Sequence, residues 1–462
     1  MDIILERYEI ATSRIREIIN EDTVSEPFKS FFCKASEFIC KIDDLNSIIK
    51  SGEINDFSLD RLKELNKSLF EEIYSENYEE SFANPEYAVK TLGEEYGKIL
   101  CYIYTKNRGM IRNVYMGRLE EVVLQMELFT QIYNYFEDVE QLEYDNVYET
   151  VYSYEKDNTE IFTDLMIEDR INPDNKFAVD IVMNSDLNDL RYLYKYGEHV
   201  GFNELKMAEF LNSLSQEEID RLAKVYTEGY RIGFINTGKD ISKKGTVDIR
   251  YSLGFERIIR SAIFNFKKMG LEPVIYQVGY TTTSPNRQYA YDHRYDDALY
   301  LDKAYIKRKL EVSRHAYESR KQLAGKMAGP AVIEIFGETP FEPENKKQAY
   351  ALSEEQQKLK SEYITEYQTM VQEYIKGDER SFTIIAFPIP EFGDDFEQMF
   401  KETVKINTLD SEIYGKVQQN IIDALDQAEY VKVLGKGDNK TNMKVQMHDL
   451  KNPLKETNFE NC

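Results

Sequence analysis

The sequence predicts an α/β protein in two parts. An α-helical array occupies residues 1–235, and an open, mainly parallel α/β sheet domain occupies residues 240–462. Three observations carry this. From Met1 to about Gly233 the apolar residues recur at the three-to-four spacing of helices and almost never alternate. Beyond Ile241, short alternating or wholly apolar runs are interleaved with amphipathic stretches, the order that parallel strands and their crossover helices require. Between the halves lies a charged stretch, 236–245, with a glycine at Gly238 and another at Gly245, a plausible linker by composition.

In the first half, Ile4, Tyr8, Ala11, Ile15 and Ile18 form the stripe of one helix. Phe28, Phe31, Ala35, Phe38, Ile42, Leu45 and Ile49 form the next, opened by Pro27, whose fixed φ suits a first turn. Leu59, Leu62, Leu65, Leu69 and Ile73 continue the pattern, as do stretches through Leu100, Val122 and Ile132, Leu187 to Tyr196, and Ile219 to Tyr230. No repeat of fixed length is visible.

In the second half, Thr246 to Tyr251 alternates as a strand does. Phe255 to Met269 is an amphipathic helix stopped by Gly270, and Pro273 to Val278 is a second apolar strand. Together these make a βαβ unit. A long helix is expected from Asp297 to Met327, then a strand from Ala331 to Phe336. Ser353 and Gln356 form a capping box that opens a helix to Ile375. Phe382 to Phe387 is the next strand, followed by helices from Asp394 to Val404 and Ser411 to Ala428. Strands from Tyr430 to Leu434 and Met443 to Met447 flank the turn 435–439.

The 462 residues suffice for two to four buried cores, so core size sets no limit. Lys plus Arg number 58 against 83 for Asp plus Glu, a formal charge of −25. Such a surface repels phosphate backbones and anionic lipid heads, so neither nucleic acid nor membrane is an expected partner. The acidity is read as a solubility feature. The four cysteines, Cys33, Cys40, Cys101 and Cys462, form no disulfide framework and no metal-binding pair. No apolar run approaches the roughly 20 residues of a membrane span, and the N-terminus lacks a secretion signal. The protein is expected to be cytoplasmic.

The search for chemistry yields few candidates. Only His199, His293, His315 and His448 occur, and the zinc-protease, nucleophile-elbow and phosphate-loop motifs are absent. Asp292, His293 and Asp296 supply oxygen and imidazole donors that suit a divalent metal. Asp296 and Asp297 read better as the start of the expected helix, where carboxylates complement the dipole, since adjacent Asp and His rarely converge on one ion. His315 with Glu318 reads as a solvated face, and His448 with Asp449 as a turn. One loop has position in its favour. Gly279 to Gln288 follows the carboxyl end of a strand, where open α/β sheets bind ligands. Its Thr281, Thr282, Thr283, Asn286 and Arg287 suit an anion or a peptide terminus.

Several segments of the second half resemble one family. They are Gly270-Leu271-Glu272-Pro273-Val274-Ile275, Leu301-Asp302-Lys303 with Leu310-Glu311-Val312, and Gly329-Pro330-Ala331-Val332-Ile333-Glu334 with Phe336-Gly337-Glu338-Thr339-Pro340-Phe341. Arg380 to Pro388 and Ile422 to Ala428 complete the set. Together they resemble the N-terminal domain of the thermophilic-type metalloaminopeptidases, which include aminopeptidases T and S. The likeness covers about Asp240 to Cys462 and is nearest a long bacterial subgroup with an added N-terminal helical region.

This resemblance implies a leucyl-type aminopeptidase acting on peptides, with two divalent metal ions, cobalt or zinc, in the complete enzyme. It also implies a homodimer. Asn442 stands where the family usually carries aspartate. The family's first metal-ligating glutamate sits in a Pro-x-x-Glu-Val-Phe stretch that would follow Cys462, and its other ligands lie later still. The chain is therefore expected to be a truncated piece that holds no metal and is inactive alone, and no catalytic or metal-binding residue carries over to it. The competing expectation is a non-catalytic binding or scaffold protein with an acidic helical docking domain.

Overall fold

A computed structural model describes residues 3–138, 140, 142–276, 284–409, 411–452 and 455–459. The chain forms two compact units, Met1–Met399 and Phe400–Cys462. The first holds both the helices and a four-stranded sheet; the second holds two helical stretches and a hairpin.

The strands of the first unit are β1 (Thr246–Arg250), β2 (Glu272–Val274), β3 (Met327–Phe336) and β4 (Thr383–Pro388). They lie in the order β2-β1-β3-β4, every pair parallel. Parallel neighbours need crossovers, and the helix Glu256–Lys268 supplies the first. It ends where Gly270 takes a φ of 81°, the left-handed conformation glycine adopts without strain. Between β1 and β3 the register slips, Thr246 pairing with Met327 but Asp248 with Pro330. The extra residue is absorbed around Gly329, whose φ is 109°.

The segment 236–245 is packed rather than free. Gly245 N donates to Lys326 O at 2.8 Å, and the buried Lys244 pairs with Glu379 at 2.9 Å. The helix Gln216–Asn236 packs against Glu256–Lys268, β3 and β4. Its Tyr230 hydroxyl donates to Gly329 O at 3.0 Å.

Elsewhere in this unit, Ile3–Ile18 packs against Phe28–Ser51 and Leu119–Glu137. One core among these helices is aromatic, with Phe31 and Phe32 edge-to-face at 5.1 Å and Tyr133 against Phe32 at the same distance. The capping box at Ser353 and Gln356 forms, opening Glu354–Tyr374.

Two expected helices differ. The stretch from Asp297 to Met327 is broken into a 3-10 turn, Asp296–Leu299, the helix Lys303–Ser319 and a short helix, Lys321–Gly325. The cause is Asp302, whose carboxylate accepts from Tyr305 N at 2.7 Å and starts a new helix in mid-pattern. Leu187 to Tyr196 yields only the 3-10 helix Leu190–Lys195, begun by Asp189 in the same way.

In the second unit, β5 (Tyr430–Leu434) and β6 (Asn442–Gln446) form an antiparallel hairpin. Opposed pairs put Val431, Val433, Met443 and Val445 on one face. Among the described residues, no helix is long and apolar enough to cross a membrane.

Candidate functional site

The loop leaving the carboxyl end of β2 is where the sequence places a ligand. Thr281, Thr282 and Thr283 lie outside the described residues, whereas Asn286 and Arg287 line a cleft of about 680 Å³. Local chemistry fixes Asn286. Its Oδ1 accepts from Gln288 N at 2.9 Å and Tyr289 N at 3.2 Å, capping the helix Arg287–Asp292. That cap sets the orientation of the amide. Its Nδ2 is a buried donor with no partner among the described residues, on a side chain only 4% exposed.

Arg287 is half-buried. Its guanidinium sits 5.2 Å from the Phe341 ring centre and 3.7 Å from Glu391 Oε1. Glu391 is anchored in turn by Thr339 N at 2.9 Å and Asn203 Nδ2 at 3.0 Å. Burial pushes its carboxyl up, but these hydrogen bonds and the charge of Arg287 more than offset that and hold it below its ordinary value.

The floor of the cleft is a buried network. Asp292 is 1% exposed and accepts from the Tyr78 hydroxyl at 2.8 Å and Gln288 Nε2 at 2.7 Å, while Lys346 Nζ stands 3.0 Å away. Lys346 also donates to Asn84 Oδ1 at 2.9 Å. Burial, and then the Asp292 charge, raise the Tyr78 hydroxyl far above its usual range, so it stays a donor.

These contacts decide how Asp292, His293 and Asp296 are used. His293 bridges Asp296 Oδ2, 2.9 Å from Nδ1, and Ala83 O, 2.6 Å from Nε2, while Asp292 bonds in its own network. Both imidazole nitrogens are engaged by protein atoms. Among the described residues no group of three or more His, Cys, Asp or Glu is arranged to hold a metal ion. Asp292, His293 and Asp296 each carry protein hydrogen bonds instead.

The other two histidine pairs make contacts of their own. His315 is exposed, and Glu318 beside it bonds Lys321 at 2.7 Å. His448 and Asp449 are exposed in the second unit, with His448 N donating to Asn458 Oδ1 at 3.1 Å.

Sequence reasoning missed Tyr78, Asn84, Lys346 and Glu391. They come from segments far apart in the chain, and Lys346 lies in a stretch without regular structure between β3 and Glu354–Tyr374. The length of that stretch was the available signal, since long irregular loops in compact units are commonly functional. Compared with known proteins, no family model, no curated protein and no solved structure matches this chain.

Proposed function

We propose that this chain is the N-terminal portion of a metal-dependent aminopeptidase of the thermophilic type, and that the cleft beside Asn286 receives peptide. The proposal rests on the resemblance of residues 240–462. One observation in the fold supports it: a buried amide donor without an acceptor among the described residues, next to a half-buried guanidinium, on the loop after a parallel strand. A peptide offers carbonyl and carboxylate acceptors for such donors. In this reading the metal ligands lie outside the described residues and the chain alone is inactive.

Purified chain should fail to hydrolyse a leucyl anilide in cobalt or zinc; turnover abolished by chelation would overturn the claim of inactivity. The coding sequence past codon 462 should continue into Pro-x-x-Glu-Val-Phe, and a stop codon there would overturn the aminopeptidase reading.

A non-catalytic binding role is the second reading, supported by exposed apolar side chains in the second unit. Val417 and Ile421 lie on the helix Ser411–Asp426, and Val433, Met443 and Val445 on the hairpin. Exposed clusters of this kind mark interaction surfaces.

A further inference from the structure

We infer that the cleft beside Asn286 reads a terminal carboxylate, carried by a short peptide or by a free amino acid. This rests on the peptide-binding reading above and adds which end of the peptide is held.

Asn286 Nδ2 is buried and has no partner among the described residues. A buried donor without an acceptor costs on the order of 1–3 kcal/mol. It cannot be relieved by flipping the amide, because Oδ1 is committed to Gln288 N and Tyr289 N. Asn286 lines the cleft, and a small shift beside it would bring Nδ2, closed off as the side chains stand, within reach of a ligand's acceptor. The next residue, Arg287, has a guanidinium whose nearest carboxylate contact is the long one to Glu391, 3.7 Å away. Most of its five N–H groups remain for a ligand, in the planar fork that matches a carboxylate. Lys346 is committed to Asp292, Asn84 and the face of Tyr78, whose ring centre lies 4.6 Å from Nζ, so it sets the charge of the floor rather than offering a donor. Two adjacent side chains of the cleft, Asn286 and Arg287, thus present donors, which an acceptor-only group satisfies best.

Charge then narrows the class. Lys90, Arg287 and Lys346 share the cleft with Glu79, Glu86, Glu344 and Glu391, three cations against four acids. A multiply charged anion such as phosphate meets net repulsion there. A zwitterion does not, because the acids can face its ammonium while the donors take its carboxylate. The volume of about 680 Å³ is that of a small-molecule site.

The test is calorimetric titration of the purified chain with Leu-Leu, Leu-Leu amide, leucine and inorganic phosphate. Two variants accompany the wild type. Asn286→Asp keeps a capping oxygen but replaces the buried donor, and Arg287→Gln removes the fork. Circular dichroism confirms that each is folded.

The expected result is that Leu-Leu binds at least tenfold tighter than its amide, and that each substitution abolishes this difference without weakening the amide. Equal binding of acid and amide overturns the carboxylate inference and leaves the peptide reading intact. Leucine bound with the same sensitivity to both substitutions, but no dipeptide, supports carboxylate recognition and overturns the peptide reading. Phosphate bound more tightly than any carboxylate, or no binding at all, overturns the inference.

Discussion

Lys346 Nζ lies 3.0 Å from Asp292 Oδ2, with the two side chains 6% and 1% exposed. This pair ties the irregular stretch after β3 to the helix that carries the cleft, so the cleft's shape depends on it. Both partners are dry, unlike the exposed pairs Lys206–Glu209 and Lys303–Glu355, and surface pairs contribute little by comparison.

Breaking that pair from one side is therefore expected to be expensive. Lys346→Met leaves the buried Asp292 carboxylate with only Tyr78 and Gln288, and a loss of about 3–5 kcal/mol is expected. Lys346→Met combined with Asp292→Asn should recover part of it. Urea denaturation of the two variants gives the comparison, and a single variant within 1 kcal/mol of wild type would mean that water reaches the site (the scale being that of exposed pairs, about 0–1 kcal/mol).

His293 should lend stability that fades on the alkaline side. Burial opposes its charge, but the Asp296 carboxylate and the Ala83 carbonyl outweigh burial and raise its pKa above the ordinary 6.5. Its folded pKa exceeds its unfolded one, so the contribution is complete below about pH 6.5 and is lost as pH rises through the folded value. The stability difference between wild type and His293→Gln should shrink across that window. A difference independent of pH would show that the imidazole is held neutral.

Glu256 follows the same sign for a different reason. Fully buried, it accepts from Tyr192 at 2.9 Å and Gly254 N at 2.8 Å, and burial pushes its carboxyl from 4.5 up to about 7. The unfolded chain gives up this proton first, so stability is lost between about pH 4.5 and 7. Glu256→Gln lacks the titration while keeping an acceptor. Wild type measured against the variant should therefore lose roughly 2–3 kcal/mol between pH 5 and pH 8. Parallel pH profiles for the two proteins would refute it.

Gly329 should tolerate no side chain. Its φ is 109°, and a Cβ there would stand 1.9 Å from Ser381 O, which is backbone and cannot swing aside. Gly329→Ala is expected to destabilise by at least about 2 kcal/mol. Calorimetric melting would show this as a drop of several degrees, and an unchanged melting temperature would contradict the bulged register at β1 and β3.

Ser353→Ala removes the hydroxyl that accepts from Gln356 N at 3.2 Å. The loss expected for this exposed cap is about 1 kcal/mol, and Ser353→Asp should restore most of it. Denaturant midpoints decide the point.

Ser353 and Gly329 also mark two degrees of legibility. The cap at Ser353 was readable because capping is local: a hydroxyl, three residues and a glutamine suffice. The four parallel strands were readable within a few residues because each is a short apolar run bounded by breakers. Gly329 was visible only as a glycine before Pro330, ahead of the strand expected from Ala331 to Phe336. Its reason, a one-residue slip against β1, belongs to the pairing of two segments some 80 residues apart.

Periodicity and turn chemistry determined by themselves the helical first half, the βαβ start of the second and the hairpin near the end, since those signals lie within one or two turns of chain. The acidic excess likewise set the expectations against phosphate backbones and membranes. Only the tertiary structure decided that Asp292 and His293 are held by Tyr78, Lys346 and Ala83, and that Asn286 lines a cleft with a buried donor unpartnered among the described residues. Asp292 and His293, adjacent in sequence, meet Tyr78 and Ala83 of a segment some 200 residues earlier, and which segments meet is fixed by packing, which no local pattern encodes.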